Sequence, residues 1–203
     1  SGINCDLIIS SSGQLTAQIW SGAPYDVFVS ADMKYPGEIF NGGFAVDQPT
    51  VYAFGKLVMW SMVDSIKPSI NILKKPAIKH IALANPKTAP YGTAAIEVLN
   101  HFNVYEDVKS KLVYGESISQ TNQFIVSKSA EVGFTAKSVV LSSEMKGKGN
   151  WIDIDKTDYL PIAQGVVVLK HRGSQHEEAQ KFYNFLFSPK AKEILIKFGY
   201  AVK

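Results

Sequence analysis

Short runs of β-branched and apolar residues alternate along this chain with stretches whose apolar positions recur at helical spacing, and few folds accommodate that alternation. Runs at residues 6–9, 25–29, 56–60, 80–84, 112–114, 130–135 and 165–169 read as strands. Residues 14–20, 33–40, a segment from Gly92, 119–126 and 136–142 read as helices between them. The segment from Gly92 is the clearest, with Ala95, Val98, Leu99 and Phe102 on one helical face. The Lys- and Gly-rich residues 145–150 read as a surface loop. Two helices with legible caps close the chain. Ser174 with Glu177 makes a capping box for residues 175–187. Ser188-Pro189 gives the last helix an N-cap with Pro at its first position, and Gly199 stops it. Phe182, Tyr183, Phe185 and Phe187 lie on the first of these two helices and read as core. Strands that alternate with helices predict an α/β fold with mainly parallel sheets.

At 203 residues there is enough chain for one large domain or two smaller lobes. With 46% hydrophobic and 19% charged residues, the composition is that of a folded chain, not a disordered one. No apolar run approaches the roughly 18–20 residues of a membrane span. The first residues carry no basic-then-apolar signal pattern, so a secreted form would be expected to have its signal removed or left out. A formal charge of +3 is weak for a nucleic-acid binder. Cys5 stands alone, which rules out an intramolecular disulfide, and Cys/His spacings for a metal are absent. Arg172 is the sole arginine, so a bidentate guanidinium clamp could be built only around that residue.

Open α/β sheets bind ligands at the carboxyl ends of their strands, where helices begin. Three such turns share one chemistry. Residues 9–13 (Ile-Ser-Ser-Ser-Gly) offer hydroxyls, residues 89–92 (Ala-Pro-Tyr-Gly) a phenol, and residues 116–119 (Glu-Ser-Ile-Ser) further hydroxyls with free amides. Unpaired N–H groups at helix starts, gathered at one point, hold an anion without a counter-cation. Taken alone, each turn reads first as an N-cap. The four histidines are scattered with no acid or nucleophile at catalytic spacing, and Glu177-Glu178 and Asp153/Asp155 read as solvated faces or caps. Phosphate-binding Gly loops are absent. The expectation is that the chain is not an enzyme.

Residues 10–19, Ser-Ser-Ser-Gly-Gln-Leu-Thr-Ala-Gln-Ile, followed by Ser-Gly-Ala-Pro-Tyr-Asp-Val-Phe-Val-Ser-Ala-Asp at 21–32, closely resemble the periplasmic molybdate-binding proteins. The likeness continues at residues 84–86, 90–92, 133–136, 159–165 and 182–200. It implies a two-lobed type II periplasmic-binding fold with the ligand cleft between the lobes. Residues 1–76 and 160–203 would form the first lobe and 77–159 the second. It also implies an oxyanion, molybdate or tungstate, held by hydroxyls and backbone N–H groups with no metal and no cofactor. By position, Ser12 matches the ligand of the Ser-rich turn, with Ser11 beside it. Tyr91 matches the turn of the second lobe, and Ile118, beside Ser117, matches a backbone N–H donor. Ala136 falls where another branch of the family carries a Tyr. Members of the family begin with a further strand, Ser/Thr turn and helix. The expectation is therefore a piece of a longer protein lacking that unit, or a dimer that completes the sheet by exchange.

The implied role is an extracytoplasmic, periplasmic solute-binding protein that delivers its anion to an ABC permease. The membrane would be reached only through the permease or a lipid anchor, and nucleic acid would have no part. Two alternatives keep the fold: a binder of another tetrahedral oxyanion such as sulfate, and an effector-sensing domain of a regulator. The second requires a helix-turn-helix segment, and none fits this sequence.

Overall fold

The computed structural model describes residues 4–171 and 176–202. In chain order its elements are α1 (Ser12–Trp20), β1 (Val27–Ser30), α2 (Lys34–Asn41), β2 (Thr50–Gly55), β3 (Leu57–Ser61), β4 (Ile81–Ala84), α3 (Pro90–His101) and α4 (Tyr105–Val108). There follow β5 (Leu112–Gly115), α5 (Ile118–Val126), β6 (Val132–Ala136), α6 (Lys137–Val140), β7 (Asn150–Asp153), β8 (Ile162–Val168), α7 (His176–Leu186) and α8 (Pro189–Lys197).

The strands form two sheets, one ordered β1-β8-β2 and the other β5-β4-β6-β3-β7. Only the β4–β5 and β4–β6 ladders are parallel; β8 runs antiparallel to β1 and β2, and β3 antiparallel to β6 and β7. The fold is α/β and two-lobed, but its sheets are mixed rather than mainly parallel. The reason lies in the connections. Helical crossovers separate β4, β5 and β6, and such crossovers join parallel neighbours. Between β2 and β3 stands only Lys56, so one extended stretch leaves the first sheet and enters the second. The chain returns between Asp153 and Ile162.

Burial in the second sheet alternates by face. Leu57 and Met59 pack with Leu83, Val98, Leu99 and Phe134 beneath α3, whereas Val58 and Trp60 pack with Ile125 and Val140 beneath α5 and α6. All five residues of β3 and of β6 are buried, as expected of a sheet covered on both faces. In the first lobe, Ile19, Phe28, Ile39, Val167 and Leu169 join α1 and α2 to the small sheet. Each fully buried side chain of this kind contributes about 1.5–3 kcal/mol.

Two further sequence expectations need correction. Residues 6–9 form no strand: Leu7 is 79% and Ile9 71% exposed, and no described strand lies beside them to supply ladder bonds or burial. The aromatic residues of α7 are not a sealed core, since Phe185 is exposed and Phe182, Tyr183 and Phe187 are half-buried. Strands β2 and β7 went unforeseen. The helix from Gly92 begins at Pro90, and its apolar face ends with Phe102 exposed beyond the last turn. Ser188 caps α8, its Oγ accepting from the Ala191 N–H at 3.2 Å. The capping box at Ser174 lies outside the described residues.

Candidate functional site

Four helix starts meet at one cavity of about 250 Å³ between the sheets. That volume falls just below the roughly 300–1,000 Å³ of pockets that take drug-sized ligands. Ser11 and Ser12 come from the start of α1, Pro90 and Tyr91 from α3, Ile118 from α5, and Ala136 and Ser138 from the start of α6. Among the described residues no charged side chain lines the cavity; its polar groups are serine and tyrosine hydroxyls and the carboxamide of Gln164.

Local chemistry sets each helix start. Ser11 caps α1, its Oγ accepting from the Gln14 N–H at 3.4 Å, while the Ser10 hydroxyl donates to the Gln14 carboxamide. Ser12 Oγ accepts from the Ala31 N–H at 3.1 Å, which ties α1 to the end of β1 and leaves the hydroxyl proton of Ser12 to be donated elsewhere. At α3, Gly92 lets the first turn pack onto the end of β4, because a Cβ there would lie 2.1 Å from the Ala84 carbonyl oxygen. Ser117 caps α5, accepting from the Gln120 N–H at 3.3 Å. The N–H groups of Ser12, Tyr91 and Ile118 lie in first turns, where helix geometry provides no carbonyl for them.

Tyr91 is nearly fully buried and takes part in a relay. The Tyr52 hydroxyl donates to Gln164 Oε1 at 2.6 Å, and Gln164 Nε2 donates to the Tyr91 hydroxyl oxygen at 3.0 Å. Burial, and then the nearby Tyr200, Tyr52 and Tyr159 phenols, hold the Tyr91 hydroxyl well above the ordinary tyrosine range, against the opposing bond from Gln164. Tyr91 thus stays neutral and keeps a proton to donate. Gly55 makes room for it, since a Cβ there would sit 2.2 Å from Tyr91 Oη.

Further contacts join the lobes around the cavity. The Gly13 N–H donates to the Thr88 carbonyl at 3.1 Å, the Tyr35 hydroxyl to the Lys87 carbonyl at 3.1 Å, and the Tyr200 hydroxyl to Ser138 Oγ at 3.2 Å. These bonds hold the two lobes in contact beside the cavity.

Of the six residues singled out from sequence, Ser11, Ser12, Tyr91, Ile118 and Ala136 line this cavity. Ser117 does not; it acts as the cap beside it. Ser10, from the same hydroxyl-bearing turn as Ser11 and Ser12, also lines it, while sequence reasoning missed Ser30, Tyr52, Ser138, Gln164 and Tyr200. Gln164 left a usable signal, being the one polar side chain in the otherwise apolar run of β8. Among the described histidines, His80 lies 3.8 Å from Glu131, His101 3.4 Å from Asp158 and His171 3.1 Å from Asp26. None of the three lines the cavity.

A family model described as bacterial extracellular solute-binding protein matches residues 1–201. The molybdate-binding protein ModA of Rhodobacter capsulatus is 42% identical over 193 residues, spanning 95% of this chain and 75% of the relative. Its counterpart from Azotobacter vinelandii is 40% identical over 195 residues, spanning 95% and 77%. The solved structure of the Azotobacter vinelandii periplasmic molybdate-binding protein aligns with a TM-score of 0.87 at 34% identity, covering 96% of this chain and 85% of that one.

Proposed function

Because the chain belongs to the bacterial extracellular solute-binding proteins, and among them to the molybdate-binding proteins, we propose that it captures molybdate between its lobes for delivery to an ABC permease. One observation carries this reading: four helix starts and a ring of hydroxyls surround a cavity on whose wall, among the described residues, no charged side chain stands. Oriented N–H and O–H dipoles suit a small, fully deprotonated anion, whose oxygens accept and never donate. Ser12, Tyr91 and the Ile118 amide are the proposed donors, with Ser11 and the Ala136 turn completing the wall. Tungstate has the same charge and shape and is expected to bind as well.

The two sheets support a lobe division in which the chain crosses at Lys56 and returns before Ile162, in place of the expected boundary at residue 76. The family match supports work in the periplasm with a permease as partner. Catalysis has no support in the cavity. Among the described residues no lining hydroxyl bonds a histidine, and only Ser30 meets a carboxylate, donating to Asp32 Oδ1 at 3.2 Å.

A thermal-shift and calorimetric panel with molybdate, tungstate, sulfate and phosphate tests the assignment. A ligand that binds only the folded state stabilises it by RT ln(1 + [L]/Kd), about 2.7 kcal/mol at a hundredfold excess over Kd. Molybdate and tungstate should raise the melting temperature at concentrations where phosphate does not. An equal response to all four anions would remove molybdate as the cargo.

A further inference from the structure

We propose that Gln164, itself oriented by Tyr52, is a positioning residue that fixes the Tyr91 hydroxyl as a donor toward the bound oxyanion. The inference rests on the oxyanion reading above and adds to it a residue that need not touch the anion.

A carboxamide has one end that accepts and one that donates, so its orientation sets the polarity of whatever it meets. The two contact lengths here distinguish the ends. The 2.6 Å contact with Tyr52 suits O–H···O geometry, and the 3.0 Å contact with Tyr91 suits N–H···O. With Tyr52 donating to Oε1, Nε2 must face Tyr91 and fill a lone pair of its oxygen. The phenolic proton of Tyr91 then cannot point back at Gln164 and is left for the cavity. A carboxamide turned the other way would take that proton and leave only lone pairs toward an anion. Gln164 is 4% and Tyr91 5% exposed, so water has little access to repair a mispaired group.

The relay also crosses between lobes. Tyr52 and Gln164 stand on neighbouring strands of the three-stranded sheet, whereas Tyr91 opens α3 over the five-stranded sheet. Tyr91 therefore acquires its fixed polarity only when the lobes are together, and that joins closure to recognition of an acceptor-only anion. Gly55 belongs to the same device, because a Cβ there would crowd Gln164 Nε2 at 2.8 Å as well as Tyr91.

The test is a double-mutant cycle read by titration calorimetry with molybdate near neutral pH, using the wild type, Gln164→Leu, Tyr91→Phe and the double variant. Gln164→Leu is expected to weaken binding about tenfold, the equivalent of one well-placed hydrogen bond. Tyr91→Phe should weaken it at least as much, and the double variant should bind no more weakly than Tyr91→Phe alone. Additive losses would mean that Gln164 acts through general packing and would overturn the proposal. Should Gln164→Leu fold poorly, Tyr52→Phe frees the carboxamide to turn without emptying the core, and a several-fold loss is expected from it too. Wild-type affinity in Gln164→Leu and Tyr52→Phe alongside a weakened Tyr91→Phe overturns the relay and leaves the oxyanion reading intact. Wild-type affinity in Tyr91→Phe alongside a weakened Ser12→Ala overturns it equally. Absence of molybdate binding by the wild type removes the relay and the reading beneath it together.

Discussion

A methyl group added at Gly55 would ask how tightly the lobes must close for the anion to be held. The new Cβ would lie 2.2 Å from Tyr91 Oη, 2.8 Å from Gln164 Nε2 and 3.0 Å from Tyr91 Cζ. Non-bonded heavy atoms settle at roughly 3.5 Å, so the ring or the strand must move by about 1 Å. Overpacking of that kind costs about 1–3 kcal/mol, and a broken Gln164–Tyr91 bond adds about 1 kcal/mol. The tighter overlap, with Tyr91, lies between lobes and the protein can relieve it by holding them slightly apart, while the Gln164 carboxamide, on the same sheet as Gly55, must shift at its flexible end. The loss should then appear in ligand affinity, between about 30-fold and about 1,000-fold, and only weakly in the melting temperature of the ligand-free chain. Gly92→Ala is the contrasting control. Its Cβ would meet the Ala84 carbonyl oxygen at 2.1 Å, backbone against backbone within one lobe, so folding itself should suffer. Calorimetry with molybdate gives the affinity and scanning calorimetry of the ligand-free protein gives the stability. Wild-type affinity in Gly55→Ala would refute the claim that Tyr91 closes the cavity where Gly55 leaves room.

Three further outcomes are expected. Ser12→Ala should weaken molybdate binding by about 1–3 kcal/mol, because an anion oxygen and the Ala31 N–H both lose a partner; unchanged calorimetric affinity would mean that Ser12 is not a donor to the anion. Molybdate affinity should stay level from neutral to moderately alkaline pH, since no charged group among the described residues lines the cavity and Tyr91 is held above the ordinary tyrosine range; a marked fall over that interval would reveal a titrating cation at the site. Glu131 binds the Lys79 and His80 N–H groups at 3.0 and 2.7 Å, and although burial alone would raise its pKa, these bonds with that of its own N–H lower it below 4.5. Its contribution to stability is therefore complete above the unfolded-state value and lost as pH falls through the lower folded-state value. Glu131→Ala should cost about 1–2 kcal/mol in urea unfolding at neutral pH, with the gap to wild type narrowing in acid.

The repeating strand–helix units were legible because their signals are local. The run of β4 and the helical face of Ala95, Val98 and Leu99 needed only hydrophobic period, and Ser188-Pro189 needed only capping chemistry. Strand β7 sits at a sheet edge with two exposed residues and follows the Lys-Gly loop, so burial imposes little pattern on it. Strand β2 begins exposed and carries an irregular register between Val51 and Ala53, which blurs its alternation. Residues 6–9 err in the other direction, for an apolar run predicts a strand whether or not a neighbour exists to pair with it. The cavity divides along the same line. Ser11, Ser12, Tyr91 and Ile118 stand at helix starts and could be read from local order. Tyr52, Gln164 and Tyr200 reach the cavity through pairings between distant parts of the chain, which spacing along the sequence does not report.

A dianion held in the proposed way, by dipoles alone, keeps its charge uncancelled. The hydroxyls, amides and carboxamide proposed to hold it supply no counterion among the described residues, so loading would shift the net charge of this chain from its formal +3 by both charges of the cargo. Empty and filled molecules would then migrate differently in a native gel or on an ion exchanger. The same imbalance gives whatever docks with the filled form an electrical mark of occupancy in addition to its shape.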